Sequence, residues 1–232
     1  MRNPIGTLTA IALVATLGFT TGCSDDDDNT VAPTATGRIM AVHASPDAPA
    51  VNLLVDNTVV GTGLTYPNNT AYLTVNAGTR NIKVNPTANP TVSVLNADVN
   101  VAAGTSYTVW AVNFLSSIEA IVTTDDLTAP ATGKAHVRFV HLSPNAPAVD
   151  VAVDGGAVVF ADYTFKEASA FTPLDAGTYD LEVRLAGTST VALDLDPITL
   201  EAGKIYTVFA KGSAAASPPV GQELGAQIIV NN

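Results

Sequence analysis

The sequence predicts an all-β protein of two tandem immunoglobulin-like antiparallel β-sandwich domains that follow a signal peptide and a flexible tether. Three observations carry this prediction. Short segments alternate apolar and polar residues with a period of about two, which is typical of half-buried strands. Glycine and proline recur between these segments, as they do in turns. One motif also occurs twice, as VHASPDAPAVNLLVD from Val42 and as VHLSPNAPAVDVAVD from Val140, with ten of fifteen positions identical.

Composition and charge narrow the classes of function. Of the 232 residues, 47% are hydrophobic, which is enough for the cores of two domains of about 100 residues each. The formal net charge is −11, and such an acidic surface repels the phosphates of nucleic acids. It also repels an anionic membrane surface, so attachment to a membrane requires an anchor that is not electrostatic. We therefore expect no nucleic-acid partner.

Residues 1–22 have the layout of a secretory signal peptide. An apolar run from Leu8 to Phe19 follows Arg2, and three small residues precede Cys23, the single cysteine. This arrangement resembles the lipobox of bacterial lipoproteins. The resemblance implies that Cys23 is the site of lipid attachment and that palmitate is among the attached acyl groups. We expect a membrane-anchored lipoprotein of the bacterial cell envelope, in the outer membrane or at the cell surface. Ordinary cleavage that leaves a free terminal cysteine is the alternative.

The remaining chain divides into a tether and two repeats. Residues 23–37 are acidic and then rich in proline and threonine, which predicts an extended tether rather than a calcium loop. The recurrence of the same residues at intervals of 97 to 99 predicts a first sandwich at 38–128 and a second at 134–232. Residues 129–133 would link them. The C-terminal QELGAQIIVNN is expected to form a closing strand.

The duplicated motif contains candidates for chemistry, and His43 and His141 are the strongest. Each would need a nearby serine or aspartate to act as a catalytic or metal-binding group. The loop does not keep such an acid, because Asp47 of the first copy is Asn145 in the second, although Asp56 and Asp154 at the end of the motif do match. A serine followed by proline and then aspartate or asparagine also fits a type I turn. We therefore expect the histidines to close the core, and we predict no catalytic, cofactor-binding or metal-binding residue.

Aromatic residues support the sandwich prediction. Tyr107 and Tyr206 each follow a glycine turn by three residues and open an apolar strand. This placement resembles a tyrosine corner, in which the hydroxyl binds a nearby backbone group. Trp110 corresponds to Phe209 in the second copy, which favours packing in the core over a sugar-stacking surface.

The two copies also resemble a known family. The stretch from His141 to Asp150, together with AGTSYTV and AGKIYTV, is similar to the bacterial domain-of-unknown-function family 4397. The resemblance implies a secreted or envelope-attached protein with tandem domains, and it supplies no catalytic residues. The leading hypothesis is a non-catalytic envelope protein, a spacer or an interaction module whose partner is another envelope protein or a glycan. The alternatives are a metal-dependent or hydrolytic enzyme that uses His43 or His141, and a calcium-stabilised adhesin.

Overall fold

The computed structural model describes residues 34–232, and the predicted signal peptide, Cys23 and most of the predicted tether lie outside this range. The described residues are all-β, as the sequence predicts. The first repeat contains β1 (Thr36–His43), β2 (Val51–Val55), β3 (Thr58–Leu64), β4 (Leu73–Asn76), β5 (Gly78–Pro86), β6 (Leu95–Val101), β7 (Ser106–Val112), a short 3-10 helix (Leu115–Ser117) and β8 (Glu119–Asp125).

The second repeat follows the same order, with two of its strands divided. Its strands are β9 (Lys134–His141), β10 (Val149–Val153), β11 (Val158–Tyr163), β12 (Thr172–Asp175), β13 (Gly177–Tyr179), β14 (Leu181–Leu185), β15 (Val191–Asp194), β16 (Ile198–Leu200), β17 (Ile205–Lys211) and β18 (Gly225–Val230). The strands β13 and β14 together correspond to β5, and β15 and β16 together correspond to β6.

Each repeat is a sandwich of two sheets. In the first repeat, sheet 1 has the order β4-β1-β7-β8 and sheet 2 has the order β3-β2-β5-β6. In the second, sheet 3 has the order β12-β9-β17-β18, and sheet 4 has the order β11-β10-β14-β15, beside the two-stranded piece β13-β16. Neighbouring strands are antiparallel except β1 with β7 and β9 with β17, which run parallel. A separate apolar core fills each sandwich.

The first strand begins two residues earlier than the sequence-predicted domain. The tether was expected to extend to Gly37, yet β1 starts at Thr36 and Gly37 is buried. A Cβ atom at Gly37 would lie 2.8 Å from the carbonyl oxygen of Ala102 and 2.9 Å from that of Thr105. Gly37 is therefore a packing requirement of the first sandwich, where only a residue without a side chain fits between strand and turn.

A third apolar cluster joins the two repeats. It contains Met40, Val42, Ala44, Trp110 and Val112 of the first repeat together with Val140, Leu142, Phe209 and Ile229 of the second. These residues come from the outer faces of sheets 1 and 3, so the two sheets pack face to face. Sequence reasoning considered only the inner faces. The four sheets are thus layered, and residues 34–232 form one compact unit.

The interface between the repeats relates equivalent residues to one another. The rings of Trp110 and Phe209 meet edge to face with centroids 5.5 Å apart. Both side chains are fully buried, which confirms that Trp110 packs in an apolar interior. Contact between corresponding positions is the arrangement of a two-fold symmetric dimer, reproduced here within one chain.

Candidate functional site

The two histidines of the duplicated motif are buried and bound to backbone in the same way. His43 is 1% exposed and His141 is 0% exposed. The Nε2–H of His43 donates to the carbonyl oxygen of Pro49 at 3.0 Å, and that of His141 donates to Pro147 at 3.1 Å. A carbonyl oxygen only accepts, so Nε2 carries the proton and Nδ1 does not. Each histidine holds the end of its Ser-Pro loop against the sandwich.

Burial also affects the charge of these rings. The pKa values of His43 and His141 are lowered, chiefly because burial disfavours the charged form. The hydrogen bonds to Pro49 and Pro147 oppose this shift without cancelling it. Both imidazoles are consequently neutral near pH 7, with the protonated nitrogen facing a backbone carbonyl.

The interchange of Asp47 and Asn145 has a structural explanation. Asp47 Oδ1 accepts a hydrogen bond from the backbone N–H of Leu115 at 2.6 Å, and Asn145 Oδ1 accepts from that of Ala214 at 2.8 Å. Leu115 and Ala214 occupy equivalent loops after β7 and β17. The position needs one acceptor oxygen, which a carboxylate and an amide supply equally well.

The interchange of Asn52 and Asp150 follows the same rule. Asn52 Oδ1 accepts from the backbone N–H of Gly63 at 3.1 Å, and Asp150 Oδ1 accepts from that of Asp162 at 2.7 Å. Gly63 and Asp162 both have positive φ angles, +66° and +60°. These acceptors therefore secure an irregular backbone position between paired strands.

The serines and the remaining acid of the motif are also engaged with the fold or buried in it. Ser143 Oγ donates to the carbonyl oxygen of Gly212 at 2.8 Å, and Ser45 is fully buried. Asp56 accepts from the backbone N–H of Asn81 and pairs with Arg80 at 2.8 Å. Among residues 34–232, no group of three or more histidine, aspartate or glutamate side chains is arranged to hold a metal ion.

The two tyrosines expected at corners bind backbone as predicted. The hydroxyl oxygen of Tyr107 accepts from the N–H of Ala102 at 3.3 Å, and that of Tyr206 accepts from the N–H of Glu201 at 3.0 Å. Each ring thus ties the strand that it opens to the turn before it. This confirms the assignment of AGTSYTV and AGKIYTV as structural elements of a sandwich.

Sequence reasoning missed a buried polar cluster between the repeats. Arg138 of β9 lies 2.7 Å (Nη1 to Oδ1) from Asp125 of β8, and both side chains are at most 2% exposed. The N–H does not point along this line, so the contact is an ion pair rather than an aligned hydrogen bond. Tyr72 and Thr108 each donate a hydroxyl to Asp125 Oδ2 at 2.6 Å.

The same cluster holds the arginine from its other side. The Nε–H of Arg138 donates to Thr207 Oγ1 at 2.8 Å, and its guanidinium lies over the ring of Phe171 at 4.7 Å. Burial lowers the pKa of Arg138, while the carboxylate of Asp125 opposes this effect. Burial and then Asp125 raise the pKa of Tyr72. A solitary arginine in the apolar run of β9 was the available sequence signal.

The second repeat also has an open cleft that its sequence did not predict. It has a volume of about 660 Å³ and lies between β15-β16 and β18, the free edges of the two sheets. Apolar side chains of Leu193, Leu195, Ile198 and Ile228 line it. Asp194, Asp196 and Glu201 also line the cleft, and because all three are exposed we call them its rim.

Comparison with protein families identifies the family of the two repeats. The model described as "Domain of unknown function (DUF4397)" matches residues 37–152 and again residues 143–224. The chain belongs to this family. The tandem DUF4397 repeats predicted from the duplicated motif are thereby confirmed. No curated protein matches the chain.

Two solved structures are similar to this DUF4397 protein in part. The Bacillus anthracis TIE protein has 13% identity and a TM-score of 0.24, and the match covers 78% of this chain and 34% of that one. CBMbc (family CBM26) of Eubacterium rectale Amy13K, solved with maltoheptaose, has 10% identity and a TM-score of 0.24, with 81% and 100% covered. The chain thus spans about a third of the first structure. At these TM-scores neither likeness bears on function.

Among the described residues of this DUF4397 protein, no helix has the length and apolar character needed to cross a membrane.

Proposed function

We propose that this DUF4397 protein is a non-catalytic, lipid-anchored module of the bacterial cell envelope that acts by binding a partner. One observation carries the non-catalytic part. In both repeats, the histidine of the duplicated motif donates its Nε2–H to a proline carbonyl and is at most 1% exposed. A general base must instead reach a substrate proton through an accessible nitrogen.

The packing of the repeats supports a module that presents fixed surfaces. The apolar cluster between sheets 1 and 3 and the Arg138–Asp125 pair join the two sandwiches along their faces. An array of independent domains on a linker would instead behave as a flexible spacer. We therefore favour an interaction module, with another envelope protein as its partner, over a spacer.

The anchoring part rests on the sequence around Cys23. Two or more acyl chains on this residue would hold the protein stably on a membrane, whereas one chain binds only marginally. In this proposal the anchored protein lies in the outer membrane or at the cell surface. The acidic character of the chain gives no electrostatic attraction to anionic lipids, which leaves the acyl chains as the means of attachment.

Intact mass spectrometry of the protein from a bacterial membrane fraction tests the anchor. The expected mass is that of a chain beginning at Cys23 with acyl groups attached, and Cys23→Ser should leave the acyl mass absent. A soluble chain without acyl mass on Cys23 would contradict the anchoring proposal. For the non-catalytic part, an activity that His43→Gln and His141→Gln abolish with the melting temperature unchanged would contradict it.

A further inference from the structure

The cleft of the second repeat lies between two strands that can each accept another strand. The strand β18 ends sheet 3 and β15 ends sheet 4, so each has one side without a partner within the described residues. Free sheet edges present unpaired backbone N–H and C=O groups at the spacing of a strand. A segment that adds to such an edge gains main-chain hydrogen bonds and places alternate side chains in the adjacent groove.

The gap between the sheet edges that forms this cleft is specific to the second repeat. In the first, β6 pairs continuously with β5, and the edges of β6 and β8 contact each other. In β6, two residues, Ala97 and Asp98, lie between the partner of Lys83 and the partner of Arg80. In the second repeat, the equivalent segment between β15 and β16 has three residues, Leu195, Asp196 and Pro197.

This extra residue and its proline divide the strand. Pro197 has no N–H to donate to a ladder, and an inserted residue bends the strand in which it lies. In the first repeat, the side chain of Asn81 also donates to Asn96 and Asp98 at 2.8 and 2.7 Å and ties the two strands. Its counterpart is Asp180, whose carboxylate cannot donate. The second repeat therefore opens where the first is closed.

The chemistry of the cleft indicates what it binds. Its floor is apolar and includes Leu193, Ile198 and Ile228, while Asp194, Asp196 and Glu201 lie at the rim. None of these three carboxylates pairs with a lysine or arginine within residues 34–232. We propose that the cleft binds an extended segment of a partner protein in which apolar residues alternate with lysine or arginine.

This inference rests on the proposed binding function and names the chemistry of the partner. The charge of the rim disfavours two other occupants. The tether of this chain contains four consecutive aspartates, Asp25–Asp28, and would be repelled by the rim. A second copy of the protein would bring its own acidic rim against this one. A basic strand is the occupant whose charge is complementary.

Fluorescence anisotropy with a labelled peptide of about ten residues, in which lysine and valine alternate, tests the proposal on the full chain in detergent. A peptide of the same composition with all lysines at one end is the control ligand. We expect the alternating peptide to bind at least about tenfold more tightly than the control, and binding should weaken with added salt. Hydrogen exchange should slow in 225–230 when it binds.

Two variants of the cleft and one matched control define the site. Asp194→Asn/Asp196→Asn removes charge from the rim, and Ala226→Trp fills the cleft; each should weaken binding at least about tenfold. Asp154→Asn/Asp162→Asn removes the same charge from the exposed β10-β11 hairpin and should leave binding unchanged. Melting temperatures of all variants show whether each remains folded, so the rim variant decides the outcome if Ala226→Trp destabilises the fold.

Three results would overturn the proposal: absence of binding, equal binding of the two peptides, or equal loss of binding in the hairpin control. Protection of 225–230 without peptide, together with a dimeric mass in light scattering, would place a second copy in the cleft instead. The acyl mass on Cys23 and the absence of histidine-dependent activity are measured separately on the same preparation. Failure of the peptide experiment is therefore distinguishable from failure of the proposed function.

Discussion

Arg138 and Asp125 form a buried ion pair, 2.7 Å between Nη1 and Oδ1, that crosses the interface between the two repeats. The pairing of the strands shows that Met40 of the first repeat occupies the position equivalent to Arg138. Asn231 of the second repeat occupies the position equivalent to Asp125. The apolar part of the interface contains three pairs of equivalent residues, Val42 and Val140, Ala44 and Leu142, and Trp110 and Phe209. Its polar part is asymmetric. The two charges meet in only one arrangement of the repeats, and any other arrangement that buries them would leave them unpaired. Because an unpaired buried charge is costly, the pair can specify how the repeats pack.

Single substitutions at this pair should destabilise the protein more than the double substitution does. Arg138→Met or Asp125→Asn leaves one buried partner without its counterpart and should lower the free energy of unfolding by about 3 kcal/mol. The double variant places at each position the residue that the other repeat has there, and should recover most of the loss. Urea unfolding followed by circular dichroism measures these values. If the double variant loses the sum of the two single losses, the pair is not coupled.

The two repeats should unfold together. Trp110 is the only tryptophan and is fully buried between sheets 1 and 3, so its fluorescence reports on the interface. We expect denaturation curves from tryptophan fluorescence and from circular dichroism to coincide. Trp110→Phe should keep a single transition, whereas Trp110→Ala should lower stability by about 3–5 kcal/mol. Two separate circular dichroism transitions in the unsubstituted protein would show that the repeats are independent.

Gly37→Ala should destabilise the first repeat although the sequence assigns Gly37 to the tether. Its new Cβ would meet the carbonyl oxygens of Ala102 and Thr105 at 2.8 and 2.9 Å, and relief requires movement of the backbone. A loss of about 1–3 kcal/mol is expected. Gly61→Ala is the matched control, since its nearest neighbour would lie at 3.6 Å, an ordinary contact. Equal stability of the two variants in thermal unfolding would contradict the packing described for β1.

Stability should decrease as the solution becomes acidic, in part because of His43 and His141. Burial lowers both pKa values in the folded state, so the unfolded chain binds protons first as the pH falls below about 6.5. Each histidine then reduces the free energy of unfolding by at most about 1.4 kcal/mol per pH unit. The slope between about pH 6.5 and 5 should be smaller in His43→Gln/His141→Gln. An unchanged slope would exclude this contribution.

Much of the fold was predictable because local patterns determine it. The alternation in Val149–Val153 predicts a strand there, although Asp150 and Ala152 prove to be buried as well. The turn residues of the duplicated motif and the tyrosines at 107 and 206 likewise act over a few residues. The histidines were also placed correctly at the end of an apolar strand face. These features require no knowledge of how distant parts of the chain meet.

The packing between the repeats was not predicted, because it depends on the outer faces of strands. The sequence prediction used only the apolar residues on the inner faces. Met40, Val42, Val140 and Phe209 make β1, β9 and β17 apolar on both faces, which is typical of strands covered on both sides. The cleft escaped prediction for a different reason. One inserted residue beside Pro197 shows its effect only when its strand is paired with a neighbour.

The protonation of His43 and His141 tests the central claim, that the duplicated motif is a structural element, most directly. Two-dimensional ¹⁵N–¹H spectra of the imidazole rings distinguish the tautomers and follow their titration. We predict that both rings are neutral at about pH 7 and that their pKa values lie below the usual value of about 6.5, with the proton on Nε2 and slow exchange with water, because burial disfavours the charged form and Pro49 and Pro147 hold that proton inside the fold. Rings that titrate at about 6.5 or above, with the Nε2 proton exchanging freely, would contradict the claim.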